Sequence, residues 1–193
     1  MGKIVYLMGK SSSGKDTIYR QLLQDDSLHL KKIVPYTTRP QRAGEAEGVE
    51  YYFTDEAGFQ KMKARGKIIE DRAYHTCYGI WRYFTADNMN LEEKSYLGIG
   101  TLESYEKLKV YYGEEKIRPI YIEVEDGERL SRALNRERMQ ESPKYEELCR
   151  RFLADAKDFS EEKLNEAGIT RRFVNQDLNE TEEEIRRVIL ENR

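Results

Sequence analysis

Residues 3–17, Lys3-Ile4-Val5-Tyr6-Leu7-Met8-Gly9-Lys10-Ser11-Ser12-Ser13-Gly14-Lys15-Asp16-Thr17, decide the fold. The first six read as a buried strand. The next seven form a loop bounded by two glycines and closed by a lysine. Ile18-Tyr19-Arg20-Gln21-Leu22-Leu23 then follows with helical spacing. Strand, glycine-bounded loop and helix form the setting of a phosphate-binding loop. Loop amides and the helix N-terminus offer partial positive charge to a phosphate, and Lys15 adds a full charge that can reach the outer phosphates of a nucleotide. Gly9, Ser11, Ser12, Ser13, Gly14, Lys15, Asp16 and Thr17 are therefore the predicted phosphate-binding residues. The usual pattern has Ser or Thr directly after the lysine, where its hydroxyl ligates Mg²⁺. Here Asp16 holds that place and Thr17 follows, so these two are the candidate metal ligands. A carboxylate is a hard ligand suited to Mg²⁺, and a helix start tolerates its charge. The alternative role for Asp16 is that of a helix cap.

The rest of the composition is consistent with a single buried core. The chain has 193 residues, with 33 basic and 36 acidic side chains and a net charge of −3. That balance points away from nucleic acid and from membrane surfaces. No apolar run approaches the roughly 20 residues that cross a bilayer, and the first residues lack a secretory pattern. Cys77 and Cys149 lie far apart and form no metal spacing, so reduced thiols and a cytoplasmic protein are expected. His29 and His75 offer no zinc set.

Apolar strands are expected at 4–8, 32–34, 96–99, 117–124 and 172–175, and helices at 18–23, 101–112, 127–138, 144–166 and 180–191. Strands alternating with helices predict an α/β fold with a parallel sheet covered on both faces. Gly168 reads as the glycine after the long helix, and Asn179 as the cap of the last one. Residues 35 to about 89 break the alternation. They are rich in Tyr, Thr and Gly, with short strands at 51–54, 68–70 and 78–84 and a helix near 56–65, and they read as an inserted lobe.

Within that lobe stand Thr37-Thr38-Arg39-Pro40-Gln41-Arg42-Ala43-Gly44-Glu45 and Gly48-Val49-Glu50-Tyr51-Tyr52-Phe53. Two arginines three apart followed by a tyrosine suit a doubly charged phosphate, because guanidinium forks bind phosphate oxygens in pairs and a phenol adds a neutral donor. At this point the chain resembles the guanylate kinase family over nearly its full length. The resemblance rests on the phosphate loop, on residues 37–53, on Gly66-Lys67-Ile68-Ile69-Glu70, on Tyr78-Gly79, on the arginine-rich helices and on Val174-Asn175-Gln176-Asp177-Leu178. It implies transfer of the γ-phosphoryl group of ATP to GMP with Mg²⁺, by a monomer or homodimer. It also implies a P-loop kinase core (1–34 and 90–193), an acceptor lobe (about 35–89) and a helical lid (about 136–151).

By the same resemblance, Arg39, Arg42, Tyr51 and Tyr78 would hold the acceptor phosphate. Glu70 would read the N1–H and N2–H₂ edge of guanine, which adenine lacks. Arg151 and one or both of Arg136 and Arg138 would serve as lid arginines with Lys15, and Asn175 would lie near the ATP base.

Four positions depart from the family pattern: Pro35 and Ile80 stand where serines are usual, Gly98 and Gly100 where aspartates are usual, and Asp16 adds a fifth difference in the loop. The Gly-Lys-Asp loop is also similar to that of ribose 1,5-bisphosphate phosphokinases, which keeps a sugar-phosphate acceptor open. A non-catalytic interaction module of the same fold is a third reading, against which the retained Lys15 speaks.

Overall fold

Every side chain from Ile4 to Met8 is buried, and this strand is the centre of the computed structural model, which describes residues 2–76 and 79–191. In chain order the elements are β1 (Ile4–Met8), α1 (Lys15–Gln24), β2 (Leu30–Lys32), β3 (Tyr36–Thr37), β4 (Tyr52–Phe53), α2 (Glu56–Ala64), β5 (Ile68–Thr76), β6 (Gly79–Ala86) and β7 (Ser95–Gly100). They continue with α3 (Leu102–Tyr112), β8 (Ile117–Glu123), α4 (Asp126–Arg138), α5 (Tyr145–Asp158), α6 (Glu161–Glu166), β9 (Arg172–Val174) and α7 (Leu178–Glu191).

The main sheet has the order β2-β7-β1-β8-β9, and all of its pairings are parallel. Because side chains alternate along a strand, Ile4, Tyr6 and Met8 join the core under α3, while Val5 and Leu7 join the core under α1 and α7. Helices on both faces explain why β1 is apolar throughout rather than alternating. The carboxyl ends of the parallel strands converge on one rim, where ligands bind in open α/β sheets.

Between β2 and β7 the chain builds a second sheet of order β4-β3-β6-β5. β5 and β6 form an antiparallel pair, and the sheet packs α2 over a small core of Phe59, Phe84 and Ala86.

Three local expectations need correction. The helix expected over 144–166 is two helices: α5 ends at Phe159, and Ser160 starts α6 by accepting a hydrogen bond from the Lys163 amide. The last helix is capped by Asp177, whose Oδ1 accepts from the amides of Asn179 and Glu180 at 2.9 and 3.0 Å, not by Asn179. The edge strand expected at 32–34 lies at Leu30–Lys32. Gly168 follows α6 at φ +77°, the left-handed position expected after a helix end. No described helix is long and apolar enough to cross a membrane.

Candidate functional site

The loop after β1 is shaped by close backbone approach. A Cβ on Gly9 would lie 2.5 Å from the Ile122 carbonyl oxygen, and one on Gly14 would lie 2.4 Å from Asn175 Nδ2. Gly14 also adopts φ +86°, so it leads into α1 in a conformation that side chains resist. Asn175, buried at the end of β9, donates from Nδ2 to the Ser13 carbonyl at 2.8 Å. The structure thus places Asn175 behind the loop as a brace for its backbone. The buried Ser13 hydroxyl has no hydrogen-bond partner among the described residues. Lys15 opens α1 with its Nζ 3.7 Å from Asp16 Oδ2. The Asp16 carboxylate is exposed and Thr17 is half-buried beside it. The two supply oxygen donors from the protein, fewer than an all-protein cage needs and a fitting set for Mg²⁺ shared with phosphates. Among the described residues no group of three His, Cys, Asp or Glu side chains could hold a metal.

A buried arginine ties this loop to the helices beyond it. Arg129 on α4 is 1% exposed. Its Nη1 donates to the Ser11 carbonyl at 2.9 Å, and its Nε and Nη2 donate to Asp126 Oδ1 at 3.0 and 2.8 Å. The guanidinium lies 4.7 Å above the Phe152 ring and 3.5 Å from Asp155 Oδ2, both on α5. Asp155 in turn accepts from the Ser11 amide at 2.7 Å. Both backbone groups of Ser11 are therefore fixed by the pair of buried Arg129 and half-buried Asp155. Sequence reading missed Arg129 and Asp155. Among the lid candidates, Arg136 Nη2 donates to Ser12 Oγ at 3.2 Å, and Arg151 flanks the same small cleft. Arg138 is exposed and two positions further on, hence on the opposite side of α4.

On the far side of the rim a cavity of about 710 Å³ separates the two sheets. Its wall includes Tyr6, Asp16, Tyr51, Glu70, Tyr83 and Ile99. Glu70 is 5% exposed: Thr85 Oγ1 donates to Oε1 at 2.8 Å, while Ser104 Oγ and Arg72 Nε each lie 3.5 Å from Oε2.

Arg39 is 3% exposed and stands behind Tyr51, 5.1 Å from that ring, rather than on the cavity wall. Its two terminal nitrogens are paired with Glu45, and its Nε has no partner among the described residues. The Arg39 guanidinium and the Arg42 amide hold the Glu45 carboxyl down at about 2. Arg42 itself is exposed, and Tyr78 lies outside the described residues. Pro35 lines the cavity and Ile80 is solvent-exposed. A second cavity of about 650 Å³ opens at the other end of the main sheet, under Lys3, Leu30 and Arg118, and touches none of the predicted site residues.

The guanylate kinase family model matches residues 1–192. A guanylate kinase of Nitrosomonas europaea is 33% identical over 122 residues, which are 63% of this chain and 55% of that protein. A guanylate kinase of Anaplasma phagocytophilum is 36% identical over 103 residues, 53% of this chain and 46% of that protein. The chain thus spans about half the length of the curated relatives it matches. The crystal structure of guanylate kinase from Anaplasma phagocytophilum shares the fold, with a TM-score of 0.63 at 23% identity over 98% of this chain and 85% of that chain.

Proposed function

This chain belongs to the guanylate kinase family, and from that premise we propose that it transfers the γ-phosphoryl group of ATP to GMP. The observation that carries the reading is the shared cavity: Asp16, at the start of the phosphate-loop helix, and the buried carboxylate Glu70 line one space. A donor held at Lys15 and a base held at Glu70 therefore meet across it. Glu70 accepts from the N1–H and N2–H₂ edge of guanine, and Thr85 and Ser104 fix its orientation. Tyr51 and Arg42 receive the acceptor phosphate, and Tyr78 shares that role. Arg39 supports them through the Glu45 pair and turns a fork to the phosphate when that pair opens.

Phosphoryl transfer asks little covalent work of a protein; alignment and charge neutralisation dominate. Loop amides and Lys15 neutralise the triphosphate. Arg136 and Arg151, reaching over Ser12 from α4 and α5, cover the moving group, and the segment of about residues 136–151 acts as the lid that excludes water. Asp16 and Thr17 would hold Mg²⁺, which when bound neutralises phosphate charge and orients the donor.

The test is an ADP-release assay with Mg·ATP and GMP, dGMP, AMP, CMP, UMP, dTMP and ribose 1,5-bisphosphate. Turnover on GMP far above AMP is expected. Turnover on ribose 1,5-bisphosphate in place of GMP would replace this reading with a sugar-phosphate kinase, and no turnover on any acceptor would leave an interaction module.

A further inference from the structure

Two glycines in β7, Gly98 and Gly100, are not required by backbone conformation, since neither has positive φ. They are required by a neighbour. A Cβ on Gly98 would lie 2.5 Å from Tyr6 Cδ2 and 2.9 Å from Ile33 Cδ1, and one on Gly100 would lie 2.2 Å from Tyr6 Oη. Tyr6 stands opposite Gly98 in the β1–β7 register. The glycines form a slot, and the slot lets a full aromatic ring lie across the strand and deliver its hydroxyl to the cavity wall.

At that end the Tyr6 phenol lies beside Ser104 and Glu70, and the Ser104 Oγ is 3.5 Å from Glu70 Oε2. Ser104 sits in the first turn of α3, with its amide 3.2 Å from Thr101 Oγ1, so its position is fixed by the helix cap directly after Gly100. Burial and the nearby Glu70 carboxylate push the Tyr6 phenol far above its ordinary range, so it remains a neutral hydroxyl at any working pH.

We propose that Tyr6 is a specificity-determining residue of the acceptor cavity: from the slot between Gly98 and Gly100, its hydroxyl positions Glu70 through Ser104 to receive the hydrogen-bond donors of a guanine edge. Tyr6 acts through Ser104 and Glu70, as a positioning residue. The inference rests on the acceptor reading given above.

Tyr6→Phe keeps the ring in its slot and removes the hydroxyl alone. Calorimetric titration with GMP, which needs no turnover, should show binding weakened about fivefold, with binding of a non-hydrolysable ATP analogue unchanged. In turnover the loss should fall on KM for GMP, with kcat within about twofold. GMP binding by Tyr6→Phe equal to wild type overturns the proposal. Wild-type binding of GMP without phosphorylation refutes the kinase reading and leaves Tyr6 tested by the titration; wild-type failure to bind GMP overturns both. The slot is tested separately. Gly100→Ala should lower Tm in the wild-type background and not in Tyr6→Val, and an equal drop in both backgrounds overturns the packing argument.

Discussion

The two sides of the cavity are built in opposite ways. The phosphate loop grows out of the innermost strand and is held by side chains from other elements: buried Asn175 on the Ser13 carbonyl, and buried Arg129 with half-buried Asp155 on the backbone carbonyl and amide of Ser11. The acceptor sheet is built on a core of three fully buried apolar residues. Stacked aromatics such as Tyr36 over Phe84 and peripheral ion pairs such as Arg82 with Glu56 complete it. Local opening is least costly where few apolar contacts are broken. The phosphate loop is therefore braced in advance, while the second sheet, with its small core, is the part whose opening costs less.

The sharpest break of this contrast is at Lys15. Lys15→Ala removes charge from a site that is otherwise prebuilt, so kcat should fall roughly 10²–10³-fold while Tm stays unchanged. A Tm drop of many degrees would mean that the loop is not independently braced.

Next comes the brace. Arg129→Leu removes a buried guanidinium together with its bonds to the Ser11 carbonyl, Asp126 and half-buried Asp155, and should destabilise the protein by about 2 kcal/mol in urea denaturation. Arg129→Leu with Asp155→Leu should recover much of that stability, yet leave KM for ATP raised because Ser11 is released. Full recovery of both would show that the pair only fills space.

On the acceptor side, Glu70→Gln should lower kcat/KM for GMP roughly 10- to 100-fold and leave KM for ATP alone. Loss of the GMP preference over AMP is the diagnostic readout.

The smallest effect is acid sensitivity. Glu45 is held at about 2 by Arg39 and the Arg42 amide, below its ordinary value of 4.5. A depressed carboxyl contributes stability above its unfolded pKa and loses it as pH falls through the folded one. Between about pH 4.5 and 2 the acceptor sheet should therefore loosen before the main sheet. Trp81, the one tryptophan, sits in β6 and reports on that sheet by fluorescence. A fluorescence change that coincides with loss of far-UV signal throughout would erase the contrast.

What the sequence made legible follows the same division. The phosphate loop was readable because backbone geometry dictates glycine at fixed positions, and because Lys15 and the flanking apolar runs need no partner to be recognised. Arg129 was not readable: its burial depends on Phe152 and Asp155, more than twenty positions away, arriving on the facing side of α5. That Arg136, and not Arg138, reaches Ser12 likewise depends on the phase of α4. Arg39 was recognised by its motif, but the motif does not show that Glu45 takes both of its terminal nitrogens. The break at Phe159 was hidden because apolar spacing continues across it into α6.

The slot in β7 also couples three positions on two strands that lie far apart in the chain. A side chain at 98 would press on the Tyr6 ring and one at 100 on its hydroxyl, whereas glycines with a smaller residue at 6 leave a void. Substitutions at 6, 98 and 100 are therefore non-additive, and the cost of one depends on which residues stand at the other two.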